Sequence, residues 1–230
     1  MTGNDEVPVE IRNGLTRKRP DMTTSHEEAD NIIMQQTVFV QRENPSGGIC
    51  VIADDTDVFL LLLHHLFSQK MSSVFIMKSP VHGRSSTDIR ATVQKHGEIV
   101  PHLLAAHALS GTDTTAASFG IGKTKVLKVL AMGTNLSSVG DKDADMVDFV
   151  KQATQFIAAC YGQKKCNTMS EARQKAWTEK TSKSRKCKPP LKSLSPTPEA
   201  LIENVKRAHL RTLCNNCGLN VITNNISFSN

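Results

Sequence analysis

Apolar and polar positions switch period along this chain, and the switches predict its elements. Ala29, Ile32, Ile33 and Gln36 recur at helical spacing behind Ser25 and Glu28. That pair forms an S-x-x-E capping box, so a helix is expected to open at Ser25. After the loop Asn44-Pro45-Ser46-Gly47-Gly48, the short run Ile49 to Ala53 reads as a buried strand, and Val74 to Met77 as a second. A helix from about Asp57 to Ser68 separates them. Further helices are expected over Asp88 to Gln94, Ile99 to Leu109, the stretch after Gly120-Ile121-Gly122-Lys123 through Met132, Ala144 to Tyr161, Ser170 to Thr181 and Pro198 to Leu213. Strands alternating with helices early, and helices alone later, predict an α/β core with an α-helical C-terminal extension. Residues 1 to 24 are polar and interrupted by Pro8, Gly14 and Pro20, which predicts disorder or at most a short strand near Val7 to Ile11.

Composition narrows the class. The longest apolar stretch, Val58 to Leu63, runs into His64 and His65 and is too short to span a bilayer, so no membrane partner is expected. Thr2 to Glu6 has no apolar core of a secretory signal. The six cysteines are therefore expected as reduced thiols in an intracellular, nuclear or cytoplasmic protein. The net charge of +6 is unevenly spread: Lys164 to Lys192 carries +8 and the remainder −2. A basic segment beside an acidic remainder suits a handler of polyanions, and equally a solvated, lysine-rich tail.

The acids fall into three groups: Glu27, Glu28 and Asp30 at a helix start; Asp54, Asp55 and Asp57 at a strand end; and Asp113 after a helix. Ligands of open α/β sheets bind beyond the carboxyl ends of the strands. Carboxylates from separate segments are what two-metal phosphodiester hydrolysis needs, with Mg²⁺ or Mn²⁺ as the ions. Each acid also has a plain structural role open to it. Glu28 completes a capping box, Asp55 or Asp57 caps the next helix, and Asp113 suits a turn.

The order of these motifs resembles the flap-endonuclease-like branch of the PIN-domain nucleases. The residues are Ser25-His26-Glu27-Glu28-Ala29-Asp30, Ala53-Asp54-Asp55-Thr56-Asp57-Val58, Gly111-Thr112-Asp113 and Gly120-Ile121-Gly122-Lys123. The similarity is strongest to uncharacterised animal members with H-E-E-A-D, D-T-D-V and G-x-D-T-T motifs. It covers roughly residues 25 to 132, with a weaker echo from Ser195 to His209. It implies a partial PIN-like parallel sheet with helices, then a helix-hairpin and an α-helical C-terminal extension. Glu28, Asp55, Asp57 and Asp113 would be catalytic, and Glu27 and Asp54 would join them in holding Mg²⁺ or Mn²⁺. Gly120 and Gly122 would contact phosphates of DNA or RNA through their backbone amides. Apart from the resemblance, Lys123, Lys125 and Lys128 put positive charge along the helix that follows, which suits phosphate contacts and equally an ordinary solvated face. The implied domains are a disordered segment 1–24, a PIN-like domain 25–161 with helix-hairpin 114–132, a basic linker 162–197 with a short helix, and a C-terminal helix and tail 198–230. His26 stands where the family has a glutamate, and only 26 residues precede Glu27, too few for the family's first strand and arch. The expectation is a metal-dependent, structure-specific nuclease-like protein that lacks its N-terminal half and is weakly active or inactive. The alternative is a non-catalytic nucleic-acid-binding or protein-interaction remnant of transposon-related origin.

Other signals carry less. Gly122-Lys123-Thr124 suggests a phosphate loop, but Ala117 occupies the position of its first glycine and no strand precedes it, so no nucleotide cofactor is expected. Cys214 and Cys217 form a lone C-x-x-C without two further ligands at motif spacing. His102 and His107 are five apart and do not share a helix face.

Overall fold

The computed structural model describes residues 7–23, 29–69, 74–183 and 190–224. The chain divides into two compact units, residues 1–95 with 218–230 (unit 1) and residues 96–217 (unit 2). Among the described residues it is a mixed α/β protein, mostly helical, with eight α-helices.

Unit 1 opens with an antiparallel hairpin of β1 (Val9–Arg12) and β2 (Leu15–Lys18). Asn13 and Gly14 form its two-residue turn with φ of 52° and 75°, the left-handed pair that suits the twist of a tight hairpin. A 3₁₀ turn, Pro20–Met22, follows. The short strand expected near Val7 to Ile11 is met by β1, whereas the disorder expected of the rest of 1–24 does not hold for residues 12–23. The reason is Arg19, a buried cation whose guanidinium donates to Glu10 on β1 at 3.1 Å, to Asp21 at 2.7 Å and to Glu43 at the end of α1 (Ala29–Glu43). Those carboxylates push the Arg19 pKa above its ordinary value, with the Asp21 hydrogen bond the largest contribution, and Arg19 in turn holds the Asp21 carboxyl below the usual range.

A three-stranded sheet follows, in the order β3 (Ile49–Ile52), β4 (Phe75–Lys78), β5 (Thr87–Asp88). β3 and β4 pair in parallel, with Ile49 opposite Phe75, whereas β5 runs antiparallel to β4. The sheet is therefore mixed, a correction to the expected parallel one: Val81 to Ser86 returns the chain as a short loop, too short for a crossover, so β5 must reverse direction. β3 also differs from the fully buried strand expected of it. Val51 is buried, while Cys50 and Ile52 are exposed, Ile52 by 66 %. The helix between β3 and β4, α2 (Thr56–Gln69), is apolar almost all round and buries Val58, Leu60 to Leu63 and Leu66. α1 packs on α2 and β3, and α3 (Ile89–His96) begins with fully buried Ile89.

Unit 2 is helical: α4 (Val100–Ser110), α5 (Lys123–Leu130), α6 (Met146–Cys160), α7 (Met169–Lys183) and the part of α8 (Pro198–Asn224) up to residue 217. Its core gathers Leu104 and Leu109 of α4, Val129 and Leu130 of α5, Phe156 and Ile157 of α6, and Leu201 and Val205 of α8. Asp145 caps α6 by accepting from the Val147 N–H, and Thr168 caps α7 by accepting from the Glu171 N–H. His209 of α8 stacks on Phe149 of α6 with ring centroids 4.0 Å apart, and its Nδ1 accepts from the Gly140 N–H. Burial lowers the His209 pKa, consistent with the neutral ring that this acceptor role requires. No described helix is long and apolar enough to cross a membrane.

Candidate functional site

The carboxyl end of β3 is where the sequence places its acidic site, and there each aspartate has a defined setting. Asp55 immediately precedes α2. Its Oδ1 accepts from the Asp57 N–H at 2.8 Å and its carbonyl accepts the first helical bond, from the Phe59 N–H at 3.2 Å. That is N-cap geometry, satisfying donors the helix start leaves open. Asp54 forms an ion pair with Arg84 of the loop after β4. Asp57 sits in the first turn of α2, where its charge complements the helix dipole. Glu27 and Glu28 lie outside the described residues.

Asp113 belongs to unit 2 and stands exposed at the tip of the turn Thr112–Thr115. Threonine hydroxyls hold that turn. Thr115 Oγ1 donates to the Ala108 carbonyl at 2.7 Å and accepts from the Thr112 N–H at 2.9 Å, and the Thr112 and Thr115 hydroxyls meet at 3.0 Å. Gly111 enters the turn at φ 124°, and a Cβ there would stand 2.5 Å from the Ala117 Cα, so only glycine fits. The threonines around Asp113 are thus a structural staple that holds the backbone of this turn.

The residues expected to meet phosphate also fall in unit 2. Ser118 to Ile121 is a turn closed by the Ile121 N–H on the Ser118 carbonyl at 3.1 Å, with Gly120 at φ 73°. Within 114–132 the regular structure is the single helix α5, with Gly122 as its N-cap residue. Lys123, Lys125 and Lys128 are all exposed on α5, and Lys125 Nζ folds back to the Gly120 carbonyl at 3.2 Å. Tyr161 at the end of α6 donates from its hydroxyl to the Phe119 carbonyl at 3.0 Å, and Asn204 of α8 exchanges two bonds with the Ala116 peptide, at 2.9 and 3.3 Å. The loop ahead of α5 is therefore held rigidly from two helices.

No known protein family, curated protein or solved structure matches this chain.

Among the described residues, no group of three or more His, Cys, Asp or Glu side chains lies close enough to hold a metal ion. Asp54 and Asp55 are both engaged, one by a guanidinium and one by a helix start. The described donors of unit 1 therefore do not fit a two-metal centre.

A further concavity was not visible in the sequence. Unit 2 contains a polar cleft of about 620 Å³ between the end of α5 with its following turn, one face of α6, and the loop leading into α7. Lys151, Lys164 and Lys165 line it, together with Asp148 and the amides Asn135 and Gln155. The basic run from Lys164 pointed to two of these lysines. Lys151 carried no signal, because a single lysine on an amphipathic helix looks like any solvated face. Cys160, buried near by in α6, is no candidate nucleophile: burial pushes its thiol up to about 11.

Proposed function

We propose that this protein binds nucleic acid through its helical unit 2 and does not cleave it. The observation that carries this reading is the segregation of charge: the sequence of unit 2 sums to +8 and that of unit 1 to −2. Phosphate backbones are bound through such fields, without base selection and with steep salt dependence. The structural employment of Asp54 by Arg84 and of Asp55 as the cap of α2 supports binding without hydrolysis, although the resemblance to flap-type nucleases implies metal-dependent cleavage.

The two readings separate in one experiment. Labelled single-stranded and flap-bearing DNA and RNA are titrated with the full chain between 50 and 200 mM salt, then incubated with Mg²⁺ and with Mn²⁺. Binding that weakens steeply with salt, with substrates left intact, is the expected result. Cleavage in Mn²⁺ that disappears in Asp55→Asn or Asp113→Asn would establish the nuclease reading instead. Asparagine caps a helix as well as aspartate does, so loss in Asp55→Asn would report on a metal and not on the fold. Absence of salt-dependent binding would remove the proposal.

A further inference from the structure

The cleft of unit 2 has the chemistry of a phosphate-backbone site. Its three lysines come from two separate segments: Lys151 from α6, and Lys164 and Lys165 from the loop before α7. All three are exposed, and none forms an ion pair with a described residue, in contrast to Lys175 and Lys206, which pair with Glu171 and Glu203 on their own helices at 2.7 Å. Asp148 is the one carboxylate lining the cleft, and it too is exposed and makes no ion pair among the described residues. Three lysines and a single acid lining one concavity give it net positive charge, which favours an anion there.

Size and lining select the kind of anion. A cleft of about 620 Å³ is larger than a lone phosphate needs and lies within the usual range for small-molecule sites. Such sites are mostly apolar, however, whereas this one presents lysine and amide side chains, which suit phosphate and sugar oxygens. No aromatic residue lines it, so it offers no platform for stacking a base. We infer that this cleft binds a stretch of nucleic-acid backbone, reading phosphates through Lys151, Lys164 and Lys165 and leaving the bases unread. The inference rests on the nucleic-acid-binding reading above and locates its contact.

Asp148 makes the inference specific. A carboxylate at the edge of a phosphate site opposes the ligand, so its neutralisation strengthens binding, an effect that a general loss of helix stability does not produce. The test uses the full chain and fluorescein-labelled oligo-dT, oligo-dA and oligo-rU of equal length. The expected result is similar affinity for all three, a loss of about tenfold in Lys151→Gln/Lys164→Gln/Lys165→Gln, and a salt slope shallower by about 2, from about 0.7 per single-strand phosphate contact. Asp148→Asn binds more tightly than wild type. Circular dichroism confirms that each variant is folded, and single Lys→Gln variants replace the triple if it is not. Inorganic phosphate or thymidine monophosphate competes only weakly, because each reaches only part of the site. Strong competition by either would assign the cleft to a small phosphorylated ligand and overturn the inference. Wild-type affinity and slope in the lysine variants would also overturn it while leaving the proposed function standing. No binding by the wild type would end both.

Discussion

His65 gives unit 1 a calculable weakness to acid. The residue lies on α2, is 1 % exposed, and neither ring nitrogen has a hydrogen-bond partner. Burial, reinforced by the charges of His64 and Arg42, lowers its pKa from 6.5 to about 4. The folded state therefore holds the ring neutral, and the unfolded chain takes up the proton first. Stability from this residue is fully present above pH 6.5, declines as pH falls, and is lost by about pH 4. The loss amounts to about 3 kcal/mol, taking about 1.4 kcal/mol per pH unit of displacement. His64 beside it is lowered in the same direction by burial and adds to the slope. The perturbation is His65→Leu, similar in volume and without titratable nitrogens. It is expected to abolish His65's share of the slope between pH 6.5 and 5, a window above the carboxylates. It should also raise stability at pH 7 by about 1 kcal/mol or more, since two unpartnered buried nitrogens are removed. Trp177 belongs to unit 2 and is the wrong reporter. Hydrogen exchange in residues 56–69, followed by mass spectrometry across the pH range, reads the right helix. An unchanged pH slope in His65→Leu would refute the assignment.

Two further substitutions probe the frame. Arg19→Met removes the cation that joins Glu10, Asp21 and Glu43 and is expected to lower the urea midpoint of unit 1, with Arg19→Lys recovering little because an ammonium cannot serve three carboxylates with a planar fork. Full stability in Arg19→Met would show that the hairpin is held by something else. Gly111→Ala places a Cβ against the Ala117 backbone at φ 124°, and the strained conformation with its clash should cost unit 2 about 3 kcal/mol or more; a change in thermal midpoint within error would contradict the turn geometry.

The placement of the helices was legible in the sequence because it depends on local signals. Turn glycines such as Gly120 and apolar runs such as Val58 to Leu63 act within a few residues of the elements they define. β3 and β4 were legible for the same reason, each to within one residue at its ends, and so was the position of Asp54, Asp55 and Asp57 beyond β3. What those aspartates do was not. Whether Asp55 caps a helix or holds a metal depends on where its oxygen points, and Asp54's partner, Arg84, is thirty residues away in sequence. The order of residues 7–23 escaped for a similar reason: a polar, proline-broken stretch has no core of its own, and Arg19 fastens it to Glu43 at the far end of α1. The antiparallel β5 was set by the short return from β4, a two-residue strand too brief to show a period. Charge shows the same division. The sequence alone held a basic run from Lys164 to Lys192, but only tertiary structure set Lys151 beside Lys164 and Lys165, because helix packing joins residues that are far apart along the chain.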